Sequence, residues 1–257
     1  MADMTDRCID VHCYHGKWGF PILTLSTADV LALMQRGNAE KAILMSARAI
    51  QYDLVAGNAE LAEAIAPHPG LYGYVYINMH YPEQSLAEME KYLRTDKFVG
   101  VKYQGEYSRA AASAPENREI FTLLERVYRK PLLIHSWGLP EHGNAVAYSL
   151  PAQILELALA HPDLKIVMGH MGGTEWMAGI RAAPQAPTLY LDTCASYADR
   201  DKVGVAAKML GPERVLFGSG ATEGSLFMQK AAILDADLSD AAKHMVLYGA
   251  AQRVFNL

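Results

Sequence analysis

The feature that most constrains the fold is a repeated unit, in which a short apolar, β-branched run precedes a longer stretch of helical periodicity. Parallel neighbours in a sheet need a crossover connection, so this strict alternation predicts a parallel sheet with helices packed on it. The eight apolar runs cover residues 8–14, 41–46, 71–78, 98–104, 131–136, 164–170, 188–194 and 214–219.

Eight such units in 257 residues are typical of a (β/α)8 TIM barrel. A doubly wound open sheet is the alternative, but no Gly-x-Gly-x-x-Gly motif follows the first strand. No composition shift or low-complexity tract marks a domain boundary. We therefore predict the α/β class, with residues 1–257 forming a single TIM-barrel domain that ends in one or two closing helices.

Composition argues against several classes of function. The chain is 51% hydrophobic and 20% charged, with a formal net charge of -5 and no long charge run. These values do not favour binding to nucleic acid or to an anionic membrane. The first residues lack the pattern of a signal peptide, and no apolar run reaches the ~18 residues of a membrane span. We expect a cytoplasmic protein whose three cysteines are reduced thiols.

Active sites of TIM barrels lie at the carboxyl ends of the strands, which form the mouth of the barrel. Residues two apart on a strand share a face, so His12 and Tyr14 are predicted to face the mouth together, with His15 on the opposite face or in the loop. The polar residues at the predicted strand ends are His12, Tyr14, Lys102, Gln104, His135, His170, Asp192, Cys194, Ser219 and Gly220.

Three of these strands end in histidine. A histidine at one strand end is usually a hydrogen-bonded structural residue, but His12, His135 and His170 are predicted to converge. Imidazole nitrogen suits zinc, and a catalytic zinc takes ~3 protein ligands with one position open. His12 and His135 are the predicted metal ligands, and zinc is the expected divalent ion. Cys194 is interpreted as a small buried residue rather than a nucleophile.

The strand-end motifs resemble, in order and spacing, those of the amidohydrolase-like TIM-barrel metal-dependent hydrolases. That group includes aminocarboxymuconate-semialdehyde decarboxylase and related aromatic-acid decarboxylases. The resemblance covers essentially the whole chain, and LKIVMGHMGG is its most specific part. It rests on the stretches IDVHCYHG, FVGVKYQ, PLLIHS, LKIVMGHMGG, LYLDT, RVLFGSG and YGAAQRVF.

The resemblance implies two metal-binding histidines on strand one, a ligand on strand five, a catalytic histidine on strand six and a metal-binding aspartate on strand eight. His12, His135 and His170 match this pattern. Tyr14 stands in place of the second histidine and Gly220 in place of the aspartate. A neutral phenol, with a free pKa of ~10, is a poor metal ligand, and glycine offers no ligand at all. A metal-bound and a metal-free centre therefore both stay open.

The leading hypothesis is an enzyme of this superfamily that acts on a small carbonyl or carboxylate compound. The reaction is hydrolysis of a lactone or amide, or non-oxidative decarboxylation. In a metal-bound centre the three histidines hold an ion that polarises a carbonyl or water. In a metal-free centre His170 is the general acid or base, Tyr14 donates to an oxyanion and Lys102 binds a carboxylate. The metal-free lactonase of pyrone dicarboxylate is a related precedent that keeps the strand-eight aspartate.

Gln104, Tyr103 and Trp137 are the predicted substrate-binding residues, and Trp137 favours a flat or aromatic ligand. The expected partner is a small-molecule substrate. A homodimer is also expected, because proteins of the family that this chain resembles commonly form pairs. The rival hypothesis, favoured by Gly220, is a catalytically inactive barrel retained as a small-molecule binding protein.

Overall fold

The computed structural model describes residues 6–196, 199 and 201–257. Its eight strands form one sheet in which each strand pairs in parallel with its neighbours in the sequence. Each strand overlaps one of the eight predicted runs, so the predicted TIM barrel is confirmed. The strands are β1 (Cys8–His15), β2 (Ala39–Ser46), β3 (Leu71–Ile77), β4 (Phe98–Tyr103), β5 (Leu132–Ile134), β6 (Ile166–Met168), β7 (Leu189–Asp192) and β8 (Val215–Leu216).

Helices follow the strands and cover the barrel. The α-helices are α1 (Thr27–Arg36), α2 (Ala47–Gln51), α3 (Leu54–Ile65), α4 (Pro82–Tyr92), α5 (Gly105–Ser108), α6 (Arg118–Leu123), α7 (Pro151–Ala160), α8 (Trp176–Ala182), α9 (Lys202–Leu210), α10 (Leu226–Leu234), α11 (Asp240–His244) and α12 (Ala250–Phe255). Within the described residues, no helix is both long and apolar enough to cross a membrane.

Hydrogen bonds between β1 and the segment after β8 close the barrel. The backbone N–H of Gly220 donates to the carbonyl of His12, with 2.8 Å between nitrogen and oxygen. The buried carboxylate of Asp10 accepts from the backbone N–H of Ser219 at 2.9 Å and from its hydroxyl at 2.5 Å. The first and last strands are therefore joined by one carboxylate as well as by the backbone.

Two apolar layers stabilise the barrel, one inside it and one between the strands and the helices. The helix α12 closes the amino-terminal end, where the ring of Phe255 packs edge-on against Tyr74 with centroids 5.8 Å apart. This leaves the opposite end, the mouth, as the place where polar side chains collect. The inner core contains Ile9, Ile43, Met45, Tyr74, Tyr76, Leu133, Val167 and Leu216.

A β-bulge in β1 changes which face its residues occupy. The pairing with β2 shifts register between Asp10 and Cys13, which adds one residue to β1 relative to its partner. Ile9 and Tyr14 consequently both belong to the inner core, although strict alternation would put them on opposite faces. His15 turns outward and bonds Thr27 Oγ1 at 3.1 Å, as the sequence predicts.

We expect Asp10→Ala to lower the free energy of unfolding by about 2 to 3 kcal/mol, because it leaves buried donors of Ser219 and the N–H of His12 unpaired. Urea unfolding measures this change. The matched control is Asp53→Ala, which removes an exposed carboxylate that caps α3 and should cost about 1 kcal/mol. Equal losses in the two variants would contradict a role for Asp10 in closing the barrel.

Candidate functional site

A buried carboxylate organises the mouth of the barrel. Asp192 ends β7 and is fully buried. Its Oδ2 accepts from Nδ1 of His12 at 2.7 Å, and its Oδ1 accepts from the backbone N–H of His170 at 2.9 Å and of Cys194 at 3.0 Å. Burial alone would raise the pKa of Asp192, but the adjacent ring of His12 and these hydrogen bonds hold it below its usual value. Asp192 is therefore an ionised anchor for three elements.

His12 presents the lone pair of one ring nitrogen to the site. Burial lowers its pKa, so the imidazole is neutral. Because Nδ1–H donates to Asp192, the lone pair lies on Nε2, which is 3.1 Å from the hydroxyl of Tyr14. Burial raises the pKa of Tyr14 well above its usual value, so this phenol keeps its proton and donates it to His12. A carboxylate behind a histidine is the arrangement that orients imidazole as a metal ligand.

A second chain of hydrogen bonds passes through His135 and His170. Nε2 of His135 lies 2.7 Å from Oε2 of Glu141, and Nδ1 of His135 lies 3.1 Å from Nε2 of His170. Burial would raise the pKa of Glu141, but its bond to His135 holds it low, so the carboxylate accepts the proton of His135 Nε2. Nδ1 of His135 then accepts from His170 Nε2–H.

This chain leaves Nδ1 of His170 with a lone pair. Burial and the neighbouring His135 push the pKa of His170 well below its usual value, so the ring is neutral. Nδ1 is buried and has no hydrogen-bond partner in the described part of the chain. The backbone of His170 is left-handed, with φ of 57°, and is held by Asp192 at its N–H and by Lys202 Nζ at its carbonyl, 3.2 Å away.

Lys102 lies on the inward face of β4 beside Tyr76 of β3 and is fully buried. Burial lowers the pKa of Lys102 to about 8, against the opposing charges of Asp192 and other acids. Among the described residues its Nζ has no hydrogen-bond partner, and the same holds for buried atoms of three residues on or after these strands. They are Tyr76 Oη, Gln104 Oε1 and Glu106 Oε2.

A cavity of about 200 Å³ opens onto this site. One wall is the indole of Trp137, which lies nearly parallel to the ring of His135, with 6.5 Å between centroids, and edge-on to His170. An apolar cavity of roughly 150 Å³ admits benzene, so this space suits a single substituted ring. The cavity is lined by His135, Trp137, Glu141, His170, Cys194, Ala195, Gly220, Glu223 and Gly224.

Tyr103, predicted to bind substrate, is not brought to the mouth. Its ring packs edge-on against Phe121 in the outer layer, with centroids 5.8 Å apart, and its hydroxyl donates to the carbonyl of Ala110 at 2.6 Å. The reason is the alternation along β4, which turns Tyr103 away from the face that carries Lys102. Gln104 follows β4 and is buried.

Potential metal donors form two groups among the described residues. One ligand atom each of His12, His170 and Cys194 lies within 4.8 Å of the others, and the same holds for Glu106, His135 and Glu141. The two histidines predicted as ligands, His12 and His135, therefore belong to different groups. Nitrogen and sulfur donors of the first group fit zinc, whereas the second group offers the oxygen that harder ions prefer.

The sulfur of Cys194 occupies the space beside Gly220. Gly220 has a left-handed φ of 66°, and a Cβ built on it would lie 2.5 Å from Cys194 Sγ. An aspartate at position 220 would therefore collide with Cys194. The glycine at position 220 and the position of this thiol are therefore two aspects of one arrangement.

Sequence reasoning missed three acids that shape the site. Asp192 stands at a strand end, but no role followed from its position alone. Glu141 and Glu223 lie in the loops after β5 and β8, where an acid is usually solvated. Glu141 follows His135 closely in the sequence, and Glu223 follows Gly220 closely. This short separation was the signal that could have identified the two acids. Glu106 of α5 is also buried, and its carboxylate accepts from the hydroxyl of Ser149 at 2.6 Å.

We expect Gly220→Ala to lower the free energy of unfolding more than Gly143→Ala does. Both glycines have positive φ, but a Cβ at Gly143 would meet nothing within 4 Å. Gly143→Ala isolates the backbone strain of about 1 to 2 kcal/mol, and the contact with Cys194 should add about 1 to 3 kcal/mol at Gly220. Urea unfolding of Gly220→Ala with Cys194→Ala completes a double-mutant cycle. If Gly220→Ala still costs more unfolding free energy than Gly143→Ala when Cys194 is alanine, the predicted collision is contradicted.

Comparison with solved structures gives matches over nearly the whole chain. 2,6-Dihydroxybenzoate decarboxylase from Rhizobium matches with a TM-score of 0.80 and 16% identity, covering 98% of this chain and 99% of that chain. 5-Carboxyvanillate decarboxylase from Sphingomonas paucimobilis matches with a TM-score of 0.78 and 15% identity, covering 98% and 99%. Dihydroxybenzoic acid decarboxylase from Polaromonas, with bound manganese and the inhibitor 2-nitroresorcinol, matches with a TM-score of 0.78 and 18% identity, covering 98% and 97%. At these identities the likeness concerns the fold.

A search of curated proteins gives no significant match. The family model described as Amidohydrolase matches residues 16–257. This range contains every strand after β1 and all the site residues discussed above except His12 and Tyr14. The protein therefore belongs to the amidohydrolase family.

Proposed function

We propose that this protein is an enzyme that decarboxylates a small aromatic acid without oxidation. The observation that carries the proposal is the ammonium group of Lys102, which is buried beside the mouth without a hydrogen-bond partner among the described residues. An unpaired buried charge is costly, and a substrate carboxylate would pair with it. The carboxylate is therefore assigned to the Lys102 side of the site.

The rest of the substrate is assigned to the cavity beside Trp137. An indole face favours a flat ring, and the cavity volume of about 200 Å³ suits one ring with small substituents. The names of the similar solved structures, decarboxylases of dihydroxybenzoate and carboxyvanillate, support an aromatic acid as the substrate class. Gln104, with a buried unpartnered oxygen, is a candidate acceptor for a substrate hydroxyl.

Decarboxylation breaks the bond between the ring carbon and the carboxylate, and the electron pair stays on that carbon. One proton must be added there as carbon dioxide leaves. Glu223 lines the cavity with a side chain that is exposed to solvent, and the partial burial of its carboxyl raises its pKa above the usual value. We assign the proton donor role to Glu223. His170, with its low pKa, is suited to accept a proton or a hydrogen bond rather than to act as the acid.

The remaining polar residues position the substrate. Tyr14 keeps its proton and can donate to a developing oxyanion when its bond to His12 is exchanged. Asp192 holds His12 and His170 in place. A divalent ion held by His12 and His170 would supply Lewis acidity toward a carboxylate or phenol oxygen.

A small-molecule binding protein is the second candidate function. The observation in its favour is the collision between any side chain at position 220 and Cys194, which leaves position 220 without an acid. The same cavity would then bind an aromatic carboxylate without converting it. Hydrolysis of a lactone or amide needs an activated water, and no separate feature of the cavity favours it.

The reaction is tested by incubating the protein with a panel of hydroxylated benzoates and measuring carbon dioxide release, with lactones and amides assayed in parallel. We expect release from at least one benzoate, and Glu223→Gln should lower kcat by about 100-fold or more. The control Glu213→Gln changes an exposed glutamate before β8 and should leave kcat unchanged. Binding of benzoates without release would favour the binding protein, and turnover of lactones alone would overturn decarboxylation.

The carboxylate site has a predicted pH dependence. The pKa of free Lys102 is lowered to about 8, so its cation is present below that pH and is lost as the pH rises through it. We expect the Kd for a benzoate, measured by calorimetry, to be constant below pH ~8 and to weaken by about tenfold per unit above it. Lys102→Met should bind weakly at all pH values. The control Lys230→Met alters a buried lysine paired with Asp6 near the amino-terminal end. A pH profile unchanged in Lys102→Met would contradict the assignment.

A further inference from the structure

We infer that Cys194, His12 and His170 form a binding site for a thiophilic divalent ion such as zinc or cadmium, in which the sulfur replaces the missing strand-eight carboxylate. One ligand atom of each residue lies within 4.8 Å of the others, and all three residues are buried. The inference goes beyond the proposed reaction, because metal binding is measured without any substrate.

Both imidazoles already present lone pairs. His12 donates Nδ1–H to Asp192, which directs the lone pair of Nε2 into the site. This lone pair accepts from the hydroxyl of Tyr14 at 3.1 Å, and a bound ion would take the place of that donor. The ring of His170 is oriented by the hydrogen bonds that run from Glu141 through His135. Its Nδ1 is buried and has no hydrogen-bond partner among the described residues. A buried nitrogen acceptor without a donor is costly, and a bound cation would remove that cost.

The position of the thiol is set by its surroundings. The backbone N–H of Cys194 donates to Oδ1 of Asp192 at 3.0 Å, so the carboxylate that orients His12 also orients the sulfur-bearing residue. A Cβ at Gly220 would lie 2.5 Å from Sγ. Glycine at position 220 is therefore the residue that leaves room for this thiol.

The donor set determines which ion binds. Two imidazole nitrogens and one thiolate favour zinc and cadmium over manganese or magnesium, which prefer oxygen ligands. Binding converts the Cys194 thiol to a metal thiolate and releases one proton to the solvent. Three protein ligands leave a fourth zinc position open, as in catalytic zinc sites.

Cobalt titration of chelator-stripped, untagged protein tests the inference. We expect one cobalt ion per chain and a sulfur-to-cobalt charge-transfer band in the near ultraviolet, with zinc and cadmium displacing cobalt and manganese failing to do so. Cys194→Ala should abolish the band and weaken metal binding by at least the roughly 10- to 100-fold that outer-shell changes cost. Cys8→Ala and Cys13→Ala are matched controls, since both thiols are buried in the outer layer, and they should keep the band.

Cobalt binding without the band, or equal affinity in wild type and Cys194→Ala, would overturn the inference. Failure of the stripped wild-type protein to bind any of these ions would do the same. Cys194→Ser retains the size of the side chain and serves where the alanine variant does not fold. The wild-type spectrum decides the matter independently of either variant. If the wild-type protein shows the cobalt spectrum but releases no carbon dioxide from any benzoate, the proposed function is rejected and the metal site is not.

Discussion

The geometry of the mouth depends on one ionised carboxylate that is sealed from solvent. Asp192 receives donors from β1, from the turn after β6 and from its own strand end. A charge buried to this degree is tolerated only while its partners stay in place. The ring of His12 and the backbone of His170 are therefore oriented by a single group, and displacement of that group would disturb all of them together.

Two hydrogen-bond chains start at carboxylates and end at imidazole nitrogens. Asp192 polarises His12, and Glu141 acts through His135 on His170. Each chain fixes a tautomer, so the lone pairs are directed before any ligand arrives. The ammonium of Lys102 lies near these acceptors and has no hydrogen-bond partner among the residues that the structure describes. The mouth thus separates a region for anions from a region for electron-pair acceptors, which suits the proposed substrate, a ring that carries a carboxylate.

The order of strands and the convergence of histidines could be predicted because they depend on short-range periodicity. A two-residue period and the barrel rule bring His12, His135 and His170 to one end without further information. The roles of Glu141 and Glu223 could not be predicted, because loop paths are set by tertiary contacts. The same period could have excluded Tyr103, which is adjacent to Lys102 and so faces the other way. The proximity of Cys194 to Gly220 required coordinates, since they follow different strands.

The bulge in β1 lets one strand meet two incompatible demands. Its lower part must bury Ile9 in the inner core, and its upper part must turn Tyr14 and His12 toward the site. The extra residue changes which side chains point inward, so the first half of the strand packs in the core and the second half faces the site. Deletion of one residue between Asp10 and Cys13 would remove this register shift, yet it would exchange inside and outside for one half of the strand. A sequence comparison that aligns this strand without allowing for the shift would pair the wrong residues at its end.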